Sequence, residues 1–184
     1  MLVKKLLKLK FVHLFFILII ISFLIGYYTF ECNYSIKKEI LESITLQEKF
    51  ILFKKVLLKN LGFAFLLSLG FMFYNISTFV LLFYNGLMCG IFFKKNNCEL
   101  DFTKTITLVS SHLFLEIIWI FYFSLFSYYL SKDFMTLLNK EISYEKTIPI
   151  INKKMNLIIR GTIILITSAI IESFFSIEIY KLLT

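Results

Sequence analysis

The sequence has little of what enzymes use for turns, metal sites and nucleotide loops. Its 184 residues include one proline, six glycines and three cysteines. No CxxC pair or other zinc-binding spacing is present, HExxH does not occur, and there is no glycine-rich phosphate loop. We therefore expect no metal and no cofactor, and energy from ATP would have to come from a partner protein.

Apolar residues dominate what is present. They make up 59% of the chain, with 23 phenylalanines and a mean hydropathy of +0.82, which lies far outside the composition of soluble proteins. The net charge is +8, but most lysines form short clusters beside apolar stretches. Such clusters meet anionic lipid headgroups, so we expect the lipid bilayer as a partner and no nucleic acid.

The hydropathy pattern predicts an all-α polytopic transmembrane helical bundle, a single integral membrane domain over residues 1–184. One apolar stretch, residues 61–93, would form a helix of roughly 50 Å against a hydrocarbon core of about 30 Å. It must break, and the sequence from Tyr74 to Thr78 fits, with Asn75 ending one helix and Ser77 or Thr78 capping the next. The result is a short, tight hairpin between spans two and three. The five predicted spans are 11–30, 56–74, 78–93, 106–130 and 157–180.

Thr45 and Glu48 form a capping box that opens the helix leading into span two. Two further segments outside the spans have the pattern of amphipathic helices. Residues 35–44 place Ile36, Ile40 and Ile44 on one face, which is typical of an interfacial amphipathic helix, although a solvated connector fits nearly as well. Residues 133–142 form a second such segment.

The N-terminus resembles a signal peptide in its basic flank, but its apolar run of about 20 residues has no small-residue cleavage site after it, so we interpret it as a retained helix. With the N-terminus inside, nine lysines lie on the inner side of the membrane and ten on the outer side, so the lysine count does not decide the orientation of the chain. Because the first helix usually dominates and its flank is purely basic, we place the chain in the bacterial cytoplasmic membrane with a cytoplasmic N-terminus. At most one disulfide, Cys32 to Cys98, is possible, and we expect free thiols.

Charged groups inside spans are costly and usually face the bundle interior, and three titratable residues stand out there: His112, Glu116 and Glu172. His112 and Glu116 share one face of span four. In span five, a small and polar stripe includes Gly161, Ser168 and Glu172.

Rise per residue places Glu116 at the depth of Asn85, and His112 at the depth of Glu172. We therefore predict two polar layers in the membrane, Asn85 with Glu116 and His112 with Glu172. Asn85 precedes a GxxxG motif, Gly86 to Gly90, that lets a neighbouring helix approach closely.

Together these residues resemble the stage II sporulation protein M family of bacterial membrane proteins over about residues 50–180. The shared features are an Asn and a Gly in span two, an Asn-Gly-x-x-x-Gly in span three, a His-x-x-x-Glu in span four and an Ile-Glu near the C-terminus. The family's Pro-His-Gly-x-x-Glu stretch has Ser111 and Leu113 here in place of proline and glycine, so a proline kink does not carry over. The matching positions are Asn60, Gly70, Asn85, Gly86, Gly90, His112, Glu116, Ile171 and Glu172.

The resemblance implies about five spans and no known catalytic reaction. The family's namesake works in a membrane complex with peptidoglycan-degrading partners during engulfment, and other members are associated with bacteriocin production, export or immunity, often near ABC transporter subunits. We therefore expect a non-enzymatic membrane subunit, a scaffold or permease-like component, with such proteins or further copies of itself as partners. Two alternatives stay open: a self-contained proton-coupled or peptide transporter using His112, Glu116 and Glu172, and an intramembrane hydrolase.

Overall fold

The computed structural model describes residues 2–31, 45–73, 75–99, 102–139, 144–175, 178 and 182; the side chains of residues 2–10, 99, 111, 112 and 144–153 lie outside this description. The described part is helical almost throughout and contains no strand. Five of its helices are long and apolar enough to span a membrane, which confirms the predicted fold class. The helices are α1 (Leu2–Thr29), α2 (Leu46–Leu69), α3 (Ile76–Glu99), α4 (Phe102–Leu138) and α5 (Tyr144–Ile170), with a 3-10 turn at Gly70–Phe73 and a π-helical turn at Ile171–Phe175.

The chain divides into two compact units, and the first, Met1–Ser35 with Phe79–Thr105, packs α1 against α3. The two helices run parallel, since Phe11 meets Phe79 near their N-terminal ends and Tyr27 meets Asn97 near their C-terminal ends. They touch through glycine. A Cβ built on Gly90 would lie 2.1 Å from the Phe23 carbonyl oxygen, and one built on Gly26 would lie 2.1 Å from that of Leu87. Backbone therefore meets backbone where the two helices cross.

Aromatic side chains and lysines cluster at the C-terminal end of this helix pair. Tyr27 lies 6.1 Å from the Phe93 ring and beneath the Lys94 ammonium, which is 4.7 Å from its centroid. Phe93 in turn makes an edge contact with Phe102 at 6.0 Å. Amphipathic aromatic rings and snorkelling lysines are typical of a membrane–water interface, which assigns this end of the first unit to one.

The second unit, Ile36–Thr78 with Ile106–Thr184, contains α2, most of α4, and α5 with its π-helical turn. Its helix directions follow from contacts along their length. Phe63 of α2 meets Trp119 of α4, and Phe71 meets Phe134, so α2 and α4 are parallel. The opposite order holds between α2 and α5, because Lys49 pairs with Glu178 at 2.6 Å and Phe53 packs on Phe174.

The predicted break after α2 is present and is closed by polar side chains. Asn75 occupies the turn with φ 65°, a left-handed conformation that Asn tolerates better than most residues. Its side-chain oxygen accepts a hydrogen bond of 3.1 Å from the Ser127 hydroxyl, which lies 3.2 Å from that of Thr78. Because α3 already begins at Ile76, Ser77 and Thr78 lie in its first turn and do not cap it, contrary to our expectation.

The capping box and the two predicted amphipathic segments have different outcomes in the structure. The capping box of Thr45 and Glu48 is formed in both directions. Residues 35–44 lie outside the described residues, so the first amphipathic helix stays a prediction. Residues 133–138, the start of the second predicted segment, instead continue α4, because neither proline nor glycine interrupts the chain there.

The helices able to span a membrane differ from the predicted spans mainly at their ends. Leu46–Phe73 and Lys154–Phe175 begin earlier than predicted, because lysines that we placed outside the apolar core form part of continuous helices. The helices that contain the predicted spans 11–30 and 106–130, α1 and α4, likewise begin earlier, at Leu2 and Phe102. Ile76–Cys98 starts within two residues of the prediction. The assignment of all residues to a single domain stays a prediction.

The expectation of free thiols is wrong at one position. Cys98 is disulfide-bonded, whereas Cys89, in the middle of α3, is not part of a disulfide. Cys32 lies outside the described residues. Sequence spacing alone could not reveal this bond, because it depends on which helix ends lie at the same level.

We predict that Gly90→Ala destabilises the protein while Gly62→Ala does not. The new methyl group at position 90 would collide with the Phe23 carbonyl oxygen, whereas nothing lies within 4 Å of a Cβ at position 62. Overpacking of this kind costs about 1–3 kcal/mol, and alanine in an open helical position is about 1 kcal/mol better than glycine. Thermal unfolding of the purified protein in detergent measures both variants, and a Gly90→Ala midpoint at the wild-type temperature would contradict the packing described.

Candidate functional site

Three charged residues on different helical elements of the second unit are near enough to interact electrostatically. Glu116 of α4 interacts electrostatically with Glu172 of the π-helical turn and with Lys59 of α2. Glu172 also interacts with Lys59. Both carboxylates belong to half-buried residues and Lys59 is exposed. The cluster thus joins every long helix of the second unit, with two acidic groups and one basic group.

Helix register explains why these positions meet. In the antiparallel pair of α4 and α5, a Cβ on Gly161 would lie 2.9 Å from the Phe123 ring. Eleven residues from this contact along each helix lie Glu172 (161 to 172) and position 112 (123 to 112), so their backbones are at one level. Glu116 is one turn deeper, level with Ser168, whose side chain is buried. The α2 register adds Lys59, one turn before the Phe63 contact with Trp119.

The cluster lies well inside the helices and not at their ends. Lys59 is ten residues beyond Lys49, which at 1.5 Å per residue is about 15 Å from the Lys49–Glu178 ion pair. A second ion pair, Asp133 with Lys154, joins α4 to α5 near the other end, and the Lys154 ammonium also donates to the Tyr129 carbonyl at 3.2 Å. The two ion pairs therefore bracket the cluster along the helix axes.

Neighbouring polar groups extend the site. Asn60, next to Lys59, is buried at 9% relative exposure. Trp119 follows Glu116 by one turn and is fully buried, and its indole N–H has no hydrogen-bond acceptor among the described residues. A buried donor without an acceptor costs free energy, typically about 1–3 kcal/mol. This orphaned donor lies on the same side of α4 as Glu116.

Glu172 occupies the π-helical turn Ile171–Phe175. A π turn widens the helix by one residue, and such turns frequently occur at functional sites. Ser173 within it is fully buried, and its hydroxyl donates to the Ala169 carbonyl at 2.8 Å. The irregular backbone therefore coincides with Glu172, the acidic residue that the sequence analysis singles out in span five.

The structure accounts for the predicted site residues unevenly. It brings Glu116 and Glu172 together, and it buries Gly161 and Ser168 on α5. The His112 side chain lies outside the described residues, so the His112–Glu172 pair stays a prediction. Asn85 is half-buried and belongs to the first unit, so its pairing with Glu116 also stays a prediction. Gly86 and Gly90 are buried against α1, close to Ser22 and Phe23 respectively.

Two members of the site were missed by reasoning from the sequence. From the sequence, Lys59 is expected to reach the membrane surface like the lysines near it, and Trp119 is assigned no role. A signal for Lys59 was present, since it precedes the Asn60 that the family resemblance had already marked. Trp119 had the spacing of Glu116 plus three residues, which places two polar groups on one helix face.

The donor set limits the chemistry of the site. Within the described residues, no group of three or more His, Cys, Asp or Glu side chains is placed to hold a metal ion. Two carboxylates with a lysine can form hydrogen bonds between helices, and they can bind or exchange a proton. Both roles fit the geometry described so far.

Comparison with known proteins agrees with this architecture. The family model of stage II sporulation protein M matches residues 14–177, nearly the full length of the chain. A search of curated proteins found no match, and neither did a search of solved structures. The matched region includes all the charged residues of the cluster and the GxxxG motif of α3. The chain belongs to the stage II sporulation protein M family.

Proposed function

We propose that this protein is a non-enzymatic membrane subunit, a scaffold or permease-like component of a complex in the bacterial cell membrane. The observation that carries the proposal is that polar side chains of the second unit join helix to helix. The setting would be either bacteriocin export and immunity or remodelling of the cell envelope. The proposed partners are an ABC transporter, a peptidoglycan hydrolase complex or further copies of this chain.

The polar contacts support a structural role. Ser127 of α4 bonds Asn75 in the turn after α2, Asp133 of α4 pairs with Lys154 of α5, and Lys49 of α2 pairs with Glu178. Each contact joins two segments of the chain that are far apart in sequence. Interhelical polar contacts in membranes contribute modest free energy, on the order of 0.6 kcal/mol each, but they fix which faces meet. A unit held in this way offers defined outer faces to a partner.

Large apolar side chains on α2 and α5 provide such outer faces. Phe65 is 62% exposed and Ile163 is 59% exposed, while Leu67 and Leu165 nearby on the same helices are fully buried. In a bilayer these outer faces contact lipid, or a neighbouring membrane protein. Because Phe65 and Ile163 are exposed and Leu67 and Leu165 are buried, probes at these two pairs of positions can test whether a partner protein contacts the outer faces.

A self-contained proton-coupled or peptide transporter is the second candidate. The observation that favours it is the cluster of Lys59, Glu116 and Glu172, because ionisable side chains inside a membrane frequently mark ion or proton pathways. The two candidates differ in what the purified protein does alone. A subunit needs its complex, whereas a transporter moves its substrate without one.

The protein's orientation has independent support. Disulfides form in oxidising compartments, and Cys98 is disulfide-bonded at the C-terminal end of α3. Since α1 and α3 are parallel, this end lies on the same side as the C-terminal end of α1. We propose that this side faces outward, which places the N-terminus in the cytoplasm.

We predict that a photo-crosslinking residue at position 65 or 163 forms a discrete protein adduct in the native membrane. Both positions point outward, so a partner subunit would be within reach, whereas probes at the buried positions 67 and 165 should give only intramolecular products. Denaturing gels and mass spectrometry of cells expressing the full chain measure the adducts.

Two results would contradict the subunit proposal. One is an outward probe that reacts only with lipid. The other is uptake of protons or peptide by the purified protein alone in liposomes, abolished by Glu116→Gln, which would favour the transporter.

We predict that a membrane-impermeant maleimide labels Cys98 in intact cells. The variant tested carries Cys32→Ser and Cys89→Ser, which leaves Cys98 as the sole thiol and removes competing sites. Labelling without permeabilisation is expected if the C-terminal end of α3 faces outward. As a control, Leu2→Cys in a chain whose three native cysteines are replaced by serine should remain unlabelled. Labelling of Cys98 only after permeabilisation would reverse the proposed orientation.

A further inference from the structure

An apolar groove lies in the second unit, between α2 and the C-terminal part of α5 with its π-helical turn. It forms a cavity of about 420 Å³, within the range of about 300–1,000 Å³ that is typical of small-molecule sites. The lining side chains are all apolar: Phe50, Phe53, Ile170, Phe174 and Phe175. The Phe174 ring packs against Phe50 at 5.4 Å and against Phe53 at 6.3 Å, so aromatic rings from both segments form the wall of the groove.

The groove opens to the surface of the unit, because Phe50 is 55% exposed and Phe175 is 56% exposed. A polar ligand needs a few hydrogen-bonding groups placed in its site. None of the five lining side chains has a donor or an acceptor. The lining therefore suits a hydrocarbon chain and not a polar solute.

One end of the groove is polar. There Lys49 of α2 pairs with Glu178 at 2.6 Å. Phe53 lies one turn beyond Lys49 on the same face of α2, and Phe174 lies four residues before Glu178. Ile170 is a further four residues away from the ion pair. Since charged groups near helix ends reach toward the lipid headgroups, the groove runs from the headgroup level into the acyl region of the bilayer.

A second lysine stands beside this groove. Lys54 follows Phe50 by four residues, which puts both side chains on one face of α2. Long helical side chains lean toward the N-terminus of their helix, so the Lys54 ammonium is directed back toward Phe50 and the polar end. Lys54 is exposed, and the ion pairs of the described residues do not include it. Because Lys49 is already compensated by Glu178, Lys54 supplies the excess positive charge beside the groove.

We propose that the groove binds one acyl chain of an anionic phospholipid, whose phosphate pairs with the Lys54 ammonium. The hydrocarbon chain occupies the apolar lining, and the negative headgroup complements the excess positive charge at the polar end. A zwitterionic phospholipid has the same chains and a phosphate, but its own ammonium group offsets that charge. The occupant is therefore selected by the charge of its headgroup.

Native mass spectrometry of the full-length protein in detergent measures this preference, by titration with phosphatidylglycerol or with phosphatidylcholine of the same acyl chains. We expect one retained phosphatidylglycerol, bound about fivefold more tightly than phosphatidylcholine, which is the difference that one lysine near an anionic headgroup supplies. Lys54→Gln should remove the preference. Lys55→Gln is the matched control and should keep it, because it removes the same charge from the side of α2 that faces away from the groove.

Filling the groove tests the acyl chain. Ile170→Trp places a larger side chain in the lining and should weaken the binding of both lipids. The same change at Ile163, an exposed position of α5 outside the groove, should leave their binding unchanged.

A phosphatidylglycerol that carries a photoactivatable group on its acyl chain locates the site in the wild-type protein. We expect its adducts to concentrate on the five lining residues. Adducts spread evenly over Phe65, Ile163 and the lining would overturn the proposal. So would equal affinity for the two lipids, or a loss of preference in Lys55→Gln as large as in Lys54→Gln.

Discussion

Burying charge in a medium that cannot solvate it is the constraint on which the second unit depends. Lys59, Glu116 and Glu172 lie on different helices, and each would be costly if its helix faced lipid alone. Their electrostatic interaction therefore favours the arrangement in which these faces of α2, α4 and α5 lie toward one another. The two outer ion pairs, Lys49 with Glu178 and Asp133 with Lys154, then set the register of these helices at both ends.

In the first unit, close packing of α1 against α3 takes the place of interactions between charged side chains. Between α1 and α3, glycines at the crossing bring backbone atoms together, and aromatic contacts are supplemented by a hydrogen bond from Asn97 to the Tyr27 hydroxyl and by the Lys94 ammonium over the Tyr27 ring. Hydrophobic burial drives no such association within a bilayer, so close packing has to supply the energy. The first unit is thus held mainly by close packing over small residues, and the second adds ion pairs between its helices.

Much of the helical architecture could be predicted from the sequence, because apolar length, a capping box at Thr45 and a break at Asn75 are local signals. The family could also be predicted, since spaced residues such as Glu116 and Glu172 carry it. The contacts between helices were harder to predict from the sequence. Lys59 looked like a surface lysine because counting residues gives depth but not the direction of a side chain. The partner of the Gly86–Gly90 motif and the disulfide at Cys98 depend on the parallel packing of α1 and α3, which no local pattern specifies. The π-helical turn at Glu172 has no sequence signature at all.

The central claim is that opposite charges on α2 and α4 hold these helices in place. A double-mutant cycle with Lys59→Gln and Glu116→Gln measures it most directly, with the free energy of unfolding of the full-length protein in lipid determined for all four proteins. If the two residues interact as described, the double variant loses less stability than the sum of the single variants, by roughly 0.5 kcal/mol or more. Strictly additive losses would contradict the account.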